Sequence, residues 1–554
     1  MNWQKNITLV AIAVVAWLLI VRWSDYQNQF DQVVDSQPPV QLETPQYPSE
    51  ARTTASLPTL EEPREPTSVA AVSSAQLITV TTDILEVVID KLGGDIVRVR
   101  LLNHLTKMPE DGGQPITLLQ RTADSEYIAQ SGLIGGNATD TAEGRPLFYT
   151  SEDSYQLRPG EDGLAVDLKY NQNGVAITKR FEFTPTDYQI AVRYIIDNPT
   201  DSPWSSTFYG QIRRDSQQPT FSSTGGMQMQ AFLGPALREP EKNYAKYDFS
   251  DIEDDSVKAT FKGGWIAFVQ HYFISAWVPP QNQQNKFTLR KQGDRDRYLF
   301  AFTGEKINIA PGARGEYRAD FYVGPKNQSV LADLADYLDL TIDYGFLWML
   351  AKPIFMVMQF IYDFIGNWGW SIILLTVLIK ILLYPLSAAG LKSMARMREL
   401  QPEMARIKEL YGDDRQRAGQ EQMALFKKHR VNPAGGCLPM LLQMPVFIAL
   451  FWVLSESVEI RHSAWIGWIQ DLSSKDPLFI LPLIMGASMY LMQKLQPMPT
   501  DPMQAKVFQL MPIAFTVFCL WFPAGLVLYW TVNNLLSILQ QMVVNRQISA
   551  AKSK

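Results

Sequence analysis

The chain has 554 residues, 46% hydrophobic and 19% charged, with a formal net charge of −6, enough for two or three domains and with no charge excess that singles out a partner. Its two cysteines, Cys437 and Cys519, both lie inside apolar runs, which argues against a disulfide or metal pair and for small buried hydrophobes. The averages conceal two halves, polar and rich in β-formers before about residue 340 and dominated by long apolar runs after it.

The start, MNWQKNITLVAIAVVAWLLIVRW, has an apolar core from Ile7 to Val21 that ends in Trp17, Leu18, Leu19 and Ile20, then Arg22 and Trp23. A cleaved signal peptide ends in small residues, so these bulky ones predict an uncleaved transmembrane signal anchor over 1–23. Residues 24–75 are rich in Pro, Gln, Ser, Thr and Glu; they bury too little to offset their ordering entropy and read as a flexible linker. From 76 the pattern turns to strands: QLITVTTDILEVVID, VAITKRFEF, YQIAVRYIIDN, GWIAFVQHYFISAWVP and YRADFYVG, separated by turn signals such as KLGGD and NQNG. Ten or more strands with little helix predict a large β-sandwich over 76–343. His104 and His271 fall in it without a carboxylate motif nearby and read as structural or surface histidines. Val330, Leu331, Leu334 and Leu338 share one face of an expected exit helix over 326–340.

Residues 344–367 are apolar, but Lys352, Pro353, Gln359 and Asp363 interrupt them. The uninterrupted stretch falls short of the roughly 20 residues a bilayer demands, so an interfacial amphipathic helix is expected. Five further spans follow at 368–386, 437–454, 478–495, 507–522 and 525–543, giving six with the anchor. The connecting loop 387–432 carries ten Lys or Arg, 455–477 carries two, and the tail at 544–554 carries three. With a cytoplasmic N-terminus, six spans keep the ten-basic loop, the short 496–506 loop and the tail inside, and send 24–367 outward. A span at 345–365 would export the basic loop. That loop reads as a helical hairpin: Met394, Met397, Leu400, Met404, Ile407 and Leu410 recur at helical spacing, YGDDRQ turns the chain, and Pro402 should kink the first arm. Its methionine stripe suits either packing between the arms or an adaptable docking surface.

Lys380, within TVLIKILLYPL, is the one charge well inside a span, and no Asp or Glu occurs in any of the six. A charge at that depth costs roughly 2.5–3.5 kcal/mol on insertion scales. Two readings stand: a lysine snorkelling roughly 9 Å to the cytoplasmic surface, or a cation facing a wet cavity. Thr376, Gln443, Thr531, Asn533 and Asn534 are the polar companions available for such a cavity. An unpaired cation there would attract an acidic segment passing through.

The stretches NWGWSIILLT, YPLSAAGLKSMARMRELQP, YGDDRQR, VNPAGGCLPMLLQMPVF, LPLIMGASMYLMQKL, TDPMQAKVFQLMP and FPAGLVLYW closely resemble the YidC-type membrane protein insertases of Gram-negative bacteria. The resemblance covers most of the last 200 residues. It implies a polytopic α-helical membrane protein of six transmembrane helices, five forming the insertase core, plus a periplasmic β-supersandwich domain. It also implies a positively charged groove open to cytoplasm and lipid, with Lys380 at its base and Thr376, Gln443, Tyr529 and Trp530 at groove or client-contact positions. Many relatives carry Arg where this chain has Lys380, and some a second Tyr where it has Trp530. Lysine keeps the charge but loses the planar fork, and Trp530 still offers a broad aromatic face. The implied partners are nascent membrane proteins, membrane lipids and the Sec translocon, with ribosome and targeting factors at 387–432 and the tail. The implied location is the bacterial inner membrane with both termini cytoplasmic.

No GxxxxGK[ST] loop is present, and neither enzymatic chemistry, a cofactor nor a metal is expected. An ion-coupled small-molecule transporter is the alternative. It usually needs intramembrane carboxylates or broken helices in repeated halves, and neither is found. A membrane-anchored sugar-binding or sugar-modifying protein, resting on the β-domain, is the second rival.

Overall fold

The computed structural model describes residues 76–122, 125–141, 144–219, 232–293, 295–411, 414–429, 431, 438–496 and 502–552. The expected anchor, the linker and Cys437 lie outside them.

Two sheets, of ten and eight strands, form a sandwich. Among the described residues the strand ladders are antiparallel except where Leu77–Thr81 pairs with Ser154–Gln156. Alternation drives the packing: in Val175–Phe183 the side chains of Val175, Ile177, Phe181 and Phe183 all point into the core between the sheets. Lys179 shares that inward parity and is fully buried. Its ammonium donates to the carbonyls of Gly93, Gly94 and Ser131 at 2.9, 2.8 and 2.9 Å, which uses all three of its N–H donors.

The eight-stranded sheet is buried on both faces where the sequence runs GWIAFVQHYFISAWVP. Ile266, Phe268, Phe273 and Trp277 face the sandwich core. Ala267, Val269, Ile274 and Ala276 face the other way, into an apolar cluster shared with the helices that follow. A sheet covered on both faces reads as a continuous apolar run, which explains this stretch. His104 packs edge-on against Phe273 with ring centroids 5.5 Å apart. Burial, then the nearby charge of Arg461, hold its pKa down at about 4.

Helix α1, Gln328–Leu334, is shorter than the expected 326–340. Asn327 caps its start, accepting from the backbone N–H groups of Ser329 and Val330. The chain then leaves the helix at Ala335, turns through a left-handed Tyr337, and re-forms a 3₁₀ turn at Leu338–Thr341. Leu331 and Leu338 are buried, but Val330 is exposed. The common apolar face is thus divided between two elements.

The helical region comprises α2 (Trp348–Ile365), α3 (Trp368–Leu382), α4 (Tyr384–Glu399), α5 (Gln401–Leu410), α6 (Arg415–Lys428), α7 (Leu438–Glu456), α8 (Ile480–Lys494), α9 (Pro502–Cys519) and α10 (Ala524–Lys552). With its preceding turn, α2 runs for 21 residues, long and apolar enough by length and composition to cross a membrane even with Lys352, Pro353, Gln359 and Asp363 in it. Lys352 binds Asp339 at 2.7 Å, tying the start of α2 to the end of the β-domain. The chain bends by 69° between α3 and α4. Pro385 sits in the first turn of α4, where its missing N–H costs nothing. Pro402 likewise opens α5 rather than kinking a continuous arm. Met397, Met404 and Ile407 pack on Leu400, Leu425 and Phe426, so this part of the methionine stripe joins the two arms.

Replacing Lys179 with Met should destabilise the β-domain by about 1–3 kcal/mol, because three buried carbonyls lose their donor. The same change at exposed Lys169 should stay within about 0.5 kcal/mol. Thermal unfolding of the full chain in detergent, followed by tryptophan fluorescence, measures both.

Candidate functional site

Three helices build the site. Helix α3 begins at Asn367, whose side chain accepts from the N–H of Trp370 at 3.1 Å and donates to the carbonyls of Ala464 and Trp465. Fifteen residues later it ends at Leu382, with Lys380 in its last turn. A cation there faces the negative end of the helix dipole.

Lys380 is only 7% exposed, so its side chain turns into the bundle rather than snorkelling out. Its ammonium donates to Ser537 Oγ of α10 at 2.8 Å and to Gln443 Oε1 of α7 at 3.4 Å. Ser537 in turn donates to the Asn533 carbonyl at 2.7 Å, and Gln443 Nε2 donates to Asn533 Oδ1. Lys380, Gln443, Asn533 and Ser537 therefore form one connected polar cluster between α3, α7 and α10. Two of the three ammonium protons are used within it. Among the described residues no carboxylate joins it.

The other expected site residues divide. Thr376 is buried one turn before Lys380, but its hydroxyl donates back to the Ile372 carbonyl at 2.6 Å. Tyr529 is buried in the core, its hydroxyl beside Gln443 without a hydrogen bond of ordinary geometry. Trp530 is half-buried and belongs to an aromatic group, with its ring centroid 4.3 Å from both Phe447 and Phe515. Of the further polar companions, only Asn533 reaches the cluster. Thr531 binds the Val527 carbonyl at 2.8 Å, and Asn534 reaches Ser488 of α8 at 3.1 Å.

Ser537 was not foreseen. Its signal was its place one turn beyond Asn533, on the same face of α10. Phe447 and Phe515, which flank Trp530, were missed because aromatic residues in spans are common. At the far end of α10, Gln541 and Asn545 line a cavity of about 350 Å³ with Met394, Arg398, Glu399 and Leu495. The basic hairpin and the C-terminal part of α10 therefore meet.

Residues 77–357 match the family described as YidC periplasmic domain, and 360–552 the family described as 60Kd inner membrane protein. A membrane protein insertase YidC from Cellvibrio japonicus is 50% identical over 556 residues, covering all of both chains. Another from Azotobacter vinelandii is 47% identical, covering all of this chain and 99% of its own. A solved structure of an active YidC insertase with its first transmembrane domain resolved is 20% identical, with a TM-score of 0.36. It covers 84% of this chain and 92% of that one.

If the cluster around Lys380 is wet, a cysteine at Ser537 should react with a water-soluble maleimide about tenfold faster than one at Leu535, because thiolates form in water and not in lipid. Leu535 lies on the same helix and is exposed on the outside of the bundle. The rates are measured in liposomes, with Cys437 and Cys519 replaced by alanine.

Proposed function

This chain belongs to the YidC family of membrane protein insertases, and we propose that Lys380 is the charge with which it receives its clients. It is an inner-membrane insertase, without enzymatic chemistry, and its clients are nascent membrane proteins. The observation that carries the proposal is the buried ammonium, bonded among the described residues to the neutral oxygens of Gln443 and Ser537. A charge held this way keeps its field for a ligand instead of spending it on a partner carboxylate.

In this reading the short polar tail of a client enters beside Lys380 from the cytoplasm and offers its acidic or carbonyl oxygens to the remaining ammonium proton. Its apolar part slides along α3 and α10 into lipid, drawn by hydrophobic transfer and, for acidic tails, by the membrane potential. Trp530, with Phe447 and Phe515 behind it, gives that segment a broad aromatic face. Gln443 and Ser537 hold the ammonium in place, with Asn533 behind them both, while Thr376 and Tyr529 shape the packed wall beside it.

The proposed topology has six spans, at 1–23, 368–386, 437–454, 478–495, 507–522 and 525–543, with both termini cytoplasmic, the β-domain periplasmic and α2 interfacial. Two contacts support it. The last turn of α7 and the segment after it touch the β-domain, with His271 Nε2 2.8 Å from the Ser455 carbonyl and Arg461 donating to the Leu105 carbonyl at 2.6 Å. The basic hairpin meets the opposite end of the bundle through α10. Each end thus gathers the loops that the charge count assigns to one side. The hairpin and the basic tail are the surfaces proposed for ribosomes and targeting factors, with the Sec translocon as a lateral partner.

Insertion of a small single-span client with a short acidic tail into proteoliposomes, scored by protease protection, tests the role of Lys380. Lys380→Ala should lower the initial rate about tenfold, and Lys380→Arg should stay within about twofold because the charge is kept. Equal rates in all three proteins would reduce Lys380 to a structural residue. No insertion of this client by any of them, in competent liposomes, would overturn the role given to Lys380.

A further inference from the structure

A second buried charge lies about 20 Å along α7 from the groove, by helix rise. Glu456, in the last turn of α7, pairs with Lys326 of the β-domain at 3.1 Å, and the two side chains are 5% and 2% exposed. Lys326 also donates to the Thr341 carbonyl at 3.3 Å. His271 sits on the other carboxylate oxygen, 3.7 Å from Glu456 Oε1. Around the pair, Asn327 donates to Glu459 Oε1 at 3.4 Å, and the Arg461 guanidinium lies 5.9 Å over the Tyr272 ring. Val458, two residues beyond Glu456, is buried in the core of the sandwich itself. The β-domain is therefore joined to α7 by a buried ion pair and an inserted apolar side chain.

Burying two charges costs desolvation that their attraction offsets only in one good geometry. Sliding or rotating α7 against the sandwich would strand both charges in an apolar cluster. The pair thus specifies register more than it adds stability. The same helix carries Gln443 and runs without a break from Leu438 to Glu456, so the height and rotation set at its C-terminal end reach the groove. Without a fixed C-terminal end, the groove end of α7 would lose its reference.

We infer that Lys326 and Glu456 are positioning residues for the groove: by fixing the height and rotation of α7 against the β-sandwich, they hold Gln443 on Lys380. The inference rests on the groove reading above and gives the β-domain a part in insertion that needs no ligand of its own. Neither residue touches a client.

The test uses the full chain in liposomes with spin labels at exposed Leu378 of α3 and Met444 of α7, the native cysteines removed. Glu456→Gln should broaden the label-to-label distance distribution and lower client insertion about threefold or more. A paired variant, Lys326→Met with Glu456→Leu, leaves no stranded charge. It should keep the β-domain as protease-resistant as in the parent, yet retain the broad distribution and slow insertion. That combination separates positioning from folding, and it decides the matter should Glu456→Gln fail to fold. A parental distance distribution in the paired variant, whatever its insertion rate, overturns the inference. A parent that inserts no client overturns the role of Lys380 instead, and the distance readout still stands.

Discussion

A positive charge buried among apolar helices needs an account of what keeps it there, and the helical region is arranged around that need. Lys380 closes α3, where the helix dipole favours a cation, and its donors meet neutral oxygens from α7 and α10. A carboxylate at this place would neutralise the charge and close the site. Neutral oxygens hold the ammonium but leave much of its field uncompensated, which suits a site that binds and releases many different segments. The apolar surroundings strengthen that field over its value in water.

The β-sandwich is not an appendage on a string. One face of its eight-stranded sheet shares an apolar cluster with α1, α2, α3 and α7, and Glu456 and Val458 enter the sandwich from the helical side. Large apolar contact resists separation of the two parts, while the buried ion pair selects one register between them. Motion during insertion is then expected among α8, α9 and α10, which pack through small and amide side chains such as Ser488, Gln493 and Asn534.

Much of this was legible in the sequence for physical reasons that apply residue by residue. One lysine in an apolar run left two readings, a snorkelling chain or a cavity with Thr376, Gln443, Thr531, Asn533 and Asn534 as companions; of these Gln443 binds the ammonium and Asn533 binds Gln443. Ser537 was harder to see, because a serine in a span can bond its own helix and carries no signal of its own. Strand patterning marked the sandwich but said nothing of Lys179, whose place on the core face the three carbonyls of Gly93, Gly94 and Ser131 explain. The exit helix lost its continuity and Val330 left the buried face: Trp265 Nε1 donates to the Asp336 carbonyl at 3.1 Å, a tertiary bond that no local periodicity reports. Glu456 was invisible for a similar reason. A charge at the end of a span reads as solvated until a lysine 130 residues away in the chain is found on top of it.

The most direct test of the groove charge varies the client rather than the groove. Clients that differ only in tail charge, from two lysines through neutral to two aspartates, are inserted into liposomes without a membrane potential by the parent and by Lys380→Gln. If Lys380 attracts the tail, the parent's rate rises with each acidic residue and the variant's rate is flat across the series. The same slope in both proteins would place the charge preference elsewhere and contradict the account.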